Sequence, residues 1–242
     1  MGSSGCTHGT VPIFVAMASP SIEESLDAAE TAVEAGRSLA DTGFWRAVAE
    51  VKRRPELVER YADRIARIDD RALRNWAFLV MPLWLGTSLA VLAALGGVAL
   101  VWWSYSLTGW LAPIVFLAGV GALVGSTHGL AHLVVGRLVG IHFLCWFVGE
   151  VKRPQPGVKI DYSSYLRTPP RRRAWMHAAG AIATKAVPFL FIGAALAADL
   201  PGWVAWLLGV AGVVGIATDI LWSTKASDWK KFSREMEFAQ ES

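Results

Sequence analysis

Residues 109–138 have the sequence GWLAPIVFLAGVGALVGSTHGLAHLVVGRL, in which the ionisable side chains are His128, His132 and Arg137. A helix rises about 1.5 Å per residue, so this run is long enough to cross the roughly 30 Å hydrocarbon core of a bilayer. Ionisable side chains are costly at membrane depth and therefore mark functional positions by default. The run predicts a membrane-spanning helix with two functional histidines in its second half.

The composition of the whole chain agrees with a membrane protein. Hydrophobic residues make up 54% of the 242 residues, and there are 12 tryptophans. Long apolar runs also cover residues 76–103, 175–198 and 203–222. We therefore predict an all-α, polytopic membrane protein with about four transmembrane helices in a core over residues 76–224, and the lipid bilayer is its first partner.

The basic residues predict the orientation of these spans. Lysines and arginines are frequent before the first span, between the second and third spans and after the fourth, whereas loops 104–108 and 199–202 contain none. The positive-inside rule then places both termini and the long central loop in the cytoplasm of a multi-pass protein. The net charge of +3 is explained by this asymmetry, so we expect no nucleic acid as a partner.

The remaining segments are interpreted from pattern and composition. We expect residues 1–20 to be disordered and residues 225–242 to be a charged cytoplasmic tail. Apolar residues recur at helical spacing over residues 21–75, which predicts a cytoplasmic amphipathic helical hairpin and a surface for a cytoplasmic protein partner. Residues 158–162 alternate as in a strand, which predicts a small β-hairpin in the central loop, although an irregular basic loop fits equally well.

The two histidines have the spacing of a metal site. Positions i and i+4 lie on one face of a helix, so His128 and His132 can reach one ion. Asp219 is the acid within the fourth span, roughly 24 Å from its outer end, while His128 lies roughly 28 Å down the second span. Two imidazoles and one carboxylate suit zinc, and also iron, cobalt or nickel. We predict a site of His128, His132 and Asp219 holding Zn²⁺, with glycines of the two spans allowing close packing.

Four short motifs follow one another along the chain. His128–His132 has the spacing of H-E-x-x-H, Val135–Ile141 is similar to A-R-x-x-G-V, Met176–Thr184 is similar to A-A-G-P-x-A-N, and Thr218–Ile220 stands where an aspartate segment is expected. Over about residues 110–225, this order resembles the site-2 protease family of intramembrane zinc metalloproteases. The resemblance implies zinc bound by two histidines and an aspartate.

The chain departs from the family at Gly129, where the glutamate of H-E-x-x-H would stand. That glutamate is the general base, and its loss commonly lowers the rate about 10²–10⁴-fold. We expect a metal-binding relative without conventional protease activity, with a gap beside the metal at Gly129. Two alternatives stay open: a non-enzymatic membrane scaffold or adaptor, and a zinc hydrolase that uses another base, namely His142, Glu150, Asp161 or His177.

Overall fold

Residues 20–76 form three helices, where the sequence predicts a hairpin. The computed structural model describes residues 20–151, 156–221 and 227–241, so almost all of the segment predicted to be disordered lies outside it. The helices are α1 (Ile22–Glu34), α2 (Phe44–Arg53) and α3 (Pro55–Trp76).

Local sequence explains where these helices begin. Ser21 and Glu24 form a capping box at the start of α1, with each side chain accepting a hydrogen bond from the other residue's backbone N–H. Gly43 precedes α2 with φ of 78°, a backbone conformation that glycine adopts without a Cβ penalty. Pro55 is the first residue of α3, where its missing N–H costs nothing. The apolar faces of the three helices share one buried core.

A three-stranded antiparallel sheet connects this helical region to the membrane helices. Its strands are β1 (Leu79–Pro82), β2 (Phe143–Val148) and β3 (Pro156–Ile160), in the order β1-β2-β3. The predicted hairpin of the central loop is therefore present as β2 and β3. The residues of β1 lie within the predicted first span, 76–103, because a short apolar run is compatible with either a strand or a helix.

Within the described residues, four helices are long and apolar enough to cross a membrane. They are α4 (Leu83–Ser104), α5 (Leu111–Leu138), α7 (Pro170–Ala197) and α8 (Gly202–Leu221), and the short α6 (Tyr162–Arg167) precedes α7. Each coincides with a predicted span, although α4 begins later than residue 76 and α7 begins earlier than residue 175.

The membrane helices pack in the order α4, α5, α7, α8, so α7 lies between α5 and α8. At the α4–α5 contact, a Cβ atom on Gly119 would lie 2.7 Å from the carbonyl oxygen of Gly97. Glycines of α5 thus bring it close to α4, not to α8 as expected, while Gly212 of α8 faces Phe189 of α7.

The segment predicted to be a charged tail forms a docked helix, α9 (Asp228–Glu241). It packs against α7, and Phe232 contacts the ring of Trp175 edge-on at 5.7 Å. Glu235 of α9 is 3% exposed. A buried carboxylate needs charged partners, and these tie the helix to the rest of the molecule.

Candidate metal centre

Two helices bring three metal-ligand side chains together. His128 and His132 lie one turn apart on α5, and Asp228 is the first residue of α9. One potential ligand atom from each residue lies within 4.8 Å of the others. The Oδ2 atom of Asp228 is 3.4 Å from Nε2 of His128 and 3.2 Å from Nε2 of His132. All three residues are partly buried.

Hydrogen bonds on the far side of each ring define which nitrogen is protonated. His132 Nδ1 lies 2.8 Å from the carbonyl oxygen of Met176, which only accepts, so this nitrogen carries a proton. His128 Nδ1 lies 2.9 Å from the hydroxyl oxygen of Thr184. Thr184 donates its own proton to the carbonyl of Gly180 at 2.6 Å, so it accepts from His128.

With a proton on Nδ1, the neutral form of each ring presents an Nε2 lone pair to the carboxylate of Asp228. Three acceptors that face one another repel unless a positive charge lies between them. A second proton on an imidazole would supply that charge, and so would a metal ion. A tetrahedral ion with bonds of about 2.0–2.1 Å separates two ligands by about 3.3 Å, which matches the two nitrogen–oxygen distances. The donor set and its spacing fit a divalent transition metal.

The electrostatics keep Asp228 ionised. Burial of the carboxyl would by itself raise its pKa, but a hydrogen bond from His132 and the positive charges of Lys231 and of both imidazoles, when these rings are doubly protonated, outweigh burial. The net result is a pKa well below the ordinary aspartate value. Asp228 also opens α9, and the N-terminus of a helix favours a negative charge.

The predicted third ligand, Asp219, is not a member of this group. Its Oδ2 atom lies 3.1 Å from Nζ of Lys185, on α7. Lys185 follows Thr184, the partner of His128, along α7. Asp219 lies on the other side of α7, where the ion pair with Lys185 balances its charge.

The gap predicted beside Gly129 is filled by Trp146 of β2. A Cβ atom on Gly129 would overlap the six-membered ring of the indole, and one on Gly86 of α4 would overlap its other end. The indole N–H donates to Thr87 Oγ1 at 3.1 Å. Trp146 therefore lies between α4 and α5 and occupies the space into which a side chain at position 129 would extend.

The proposed substitute bases are held in other roles or lie outside the group. Asp161 caps α6 by accepting from the backbone N–H groups of Ser163 and Ser164, at 3.1 and 3.0 Å. His177 Nε2 lies 2.9 Å from the hydroxyl of Tyr165. Among the described residues, the metal-ligand group includes none of the four candidates, which are His142, Glu150, Asp161 and His177.

A buried ionic cluster fixes α9, the helix that carries Asp228. Glu235 Oε2 lies 2.6 Å from Nε of Arg173 on α7, and its Oε1 lies 2.5 Å from Nζ of Lys52 on α2. The hydroxyl of Tyr165 donates to the same Oε1 at 2.8 Å. Sequence patterns do not single out Glu235 or Asp228, because each belongs to a charged amphipathic segment that is typical of a solvated tail.

Comparisons of the chain with known protein families, with curated proteins and with solved structures found no match.

Proposed function

We propose that this chain is an integral membrane metalloprotein of site-2-protease type that holds one zinc ion through His128, His132 and Asp228. The observation that carries the proposal is the convergence of the Nε2 atoms of both histidines on one carboxylate oxygen. Each ring is oriented by a hydrogen bond at Nδ1, an arrangement common among zinc-bound histidines. Zinc is our choice among the divalent transition metals because two imidazoles and a carboxylate are a frequent zinc set.

The proposal replaces Asp219 with Asp228 as the third ligand. Asp228 lies within hydrogen-bonding distance of His132, whereas Asp219 is paired with Lys185. The resemblance to the protease family supports the histidine pair and its helix. The aspartate that we propose here comes from a helix after the fourth span, which is a further departure from the family pattern.

We further propose that the protein does not hydrolyse peptides by the usual mechanism. Gly129 supplies no general base, and Trp146 fills the adjacent space. Without a base, a zinc-bound water keeps its electrostatic activation but has no positioned group to accept its proton. The site is then suited to binding a ligand or to a structural role. We place its basic loops and both termini on the cytoplasmic side.

Metal analysis of detergent-purified protein tests the proposal. We expect close to one equivalent of zinc per chain by mass spectrometry after purification without chelators. The His128→Ala/His132→Ala variant should lose it. A control variant, His142→Ala, removes a histidine outside the group and should keep the metal. Metal-free wild-type protein, or equal metal in all three samples, would overturn the proposal.

A further inference from the structure

A cleft lies beside the metal-ligand group, between α7, α8 and the start of α9. Its volume is about 640 Å³, within the range of sites that bind small molecules. The apolar walls are open to the outside of the bundle, since Ile216 is 41% exposed and Ile220 is 70% exposed. The apolar lining residues are Ile182, Ala186, Phe189, Ile216, Ile220 and Trp229.

The cleft continues along the membrane helices. A second cavity of about 500 Å³ shares Phe189 with the first and follows α8 back to Trp206. From Ile220 to Trp206 the helix rises about 21 Å, which exceeds the roughly 15 Å of one leaflet's hydrocarbon. Together the two cavities form an apolar groove long enough for an acyl chain.

One end of the groove is polar and carries an excess positive charge. Lys185 and Asp219 line it and neutralise each other. Lys230 also lines it, is exposed, and has no partner for its ammonium group among the residues that the structure describes. The hydroxyl of Ser233, one turn further along α9, adds a hydrogen-bond donor.

We propose that this groove binds a phospholipid with an anionic headgroup. The phosphate lies against Lys230 and Ser233, and an acyl chain follows Ile216 and Phe189 along α8. Basic pockets between membrane helices on the cytoplasmic side are recognised by anionic headgroups. The lysine-rich end of α9 is on that side by the positive-inside rule. The proposal does not depend on bound metal.

Photo-crosslinking in lipid vesicles tests this site. The full chain is reconstituted in phosphatidylcholine vesicles that contain a small fraction of a probe lipid with a diazirine on its acyl chain. The probe lipid is phosphatidylglycerol in one sample and phosphatidylcholine in the other. Labelled peptides are then located by mass spectrometry. We expect α7 and α8 to be labelled at the groove about fivefold more strongly by the phosphatidylglycerol probe than by the phosphatidylcholine probe. This factor corresponds to the attraction of one lysine to an anionic headgroup.

Two matched variants identify the headgroup contact. Lys230→Gln should reduce the labelling to the phosphatidylcholine level, whereas Arg37→Gln removes a positive charge from the loop after α1 and should leave it unchanged. Equal labelling by the two lipids, or unchanged labelling of Lys230→Gln, would overturn the proposal. Displacement of the probe by an equimolar apolar transmembrane peptide would assign the groove to a protein partner instead. The His128→Ala/His132→Ala variant should label normally, so failure of the metal proposal is distinguished from failure of this one.

Discussion

A Cβ atom added to Gly129 would lie only 2.7 Å from Cζ3 of Trp146, and closer still to the neighbouring ring carbon. Carbon atoms do not approach so closely without displacement. Introducing the glutamate of the H-E-x-x-H motif by Gly129→Glu should therefore destabilise the protein rather than create a protease. Overpacking of this kind typically costs about 1–3 kcal/mol, and we expect the thermal midpoint in detergent to fall by several degrees.

Gly125 offers a control for that experiment on the same helix. A Cβ atom there meets no other atom within 4 Å, so Gly125→Ala should be neutral or slightly stabilising, because alanine favours a helix. Gly129→Ala should lower the midpoint relative to Gly125→Ala. Equal midpoints for these two variants would show that Trp146 does not restrict position 129.

Substitutions of Asp228 and of Asp219 should have different effects on metal content. Asp228→Asn should weaken zinc binding by at least about 100-fold, because loss of a supporting contact alone costs 10–100-fold. Asp219→Asn should retain the metal but destabilise the fold by about 1–3 kcal/mol, since the Lys185 ammonium loses its charged partner. Chelator competition and thermal unfolding measure the two effects. Loss of zinc in Asp219→Asn alone would restore the ligand set expected from the sequence.

Thr184 is expected to orient His128. Thr184→Val keeps the shape of the side chain but removes the hydroxyl that accepts from Nδ1. The zinc affinity should fall about 10–100-fold, as it does when a ligand histidine loses its outer partner. Thr218→Val, which removes a hydroxyl that donates to the carbonyl of Gly215 on α8, should leave the affinity unchanged.

Glu235 should stabilise α9 and, through it, the position of Asp228. Removing its carboxylate leaves Arg173 and Lys52 without their shared partner, and breaking a buried ion pair costs about 3–5 kcal/mol. Glu235→Gln should therefore lower both the free energy of unfolding and the zinc affinity. Glu241→Gln removes an exposed pair with Arg53, which contributes about 1 kcal/mol or less. Similar effects of the two changes would contradict a role for the buried cluster.

Because the Glu235 carboxylate is buried beside two cations, we expect the folded state to lose stability in acid. Burial would raise the pKa of Glu235, but the charges of Lys52 and Arg173 and the hydrogen bonds from Lys52 and Tyr165 lower it overall from its ordinary value of 4.5. A lowered pKa stabilises the folded state above the unfolded pKa, and this contribution is lost as the pH falls from about 4.5 through the folded value. The thermal midpoint of the His128→Ala/His132→Ala protein, measured at a series of pH values, should decrease as the pH falls through that range. Glu235→Gln should flatten the dependence.

The sequence predicted the membrane helices well because length and hydropathy are local properties. It also paired His128 with His132, since four-residue spacing on one helix needs no tertiary information. The equal depth expected for Asp219 and the histidines stays a prediction; the structure pairs Asp219 with Lys185, the residue after Thr184. The lateral order of the helices could not be predicted. Nothing in the sequence indicates that α7 lies between α5 and α8.

Asp228 and Trp146 were missed for a related reason. Each residue contacts α5 from a segment that the sequence pattern assigns to another place. Asp228 belongs to the predicted charged tail, and Trp146 belongs to the predicted loop at the membrane surface. Their placement depends on long-range contacts: the Glu235 cluster for α9, and the pairing of Trp146 with Met81 and Val158 in the sheet. Such contacts join residues far apart in the chain and leave no periodic signal.

Because α9 follows α8 in the chain, the metal-ligand group is completed only after the four long apolar helices of the described residues have been synthesised. Until then the histidines of α5 can form their bonds to Met176 and Thr184 but lack the carboxylate. On the proposed function, metal binding is therefore a late event in biogenesis, and a chain that ends within α8 would have an incomplete site. Bound metal would then mark only those chains whose synthesis has reached α9.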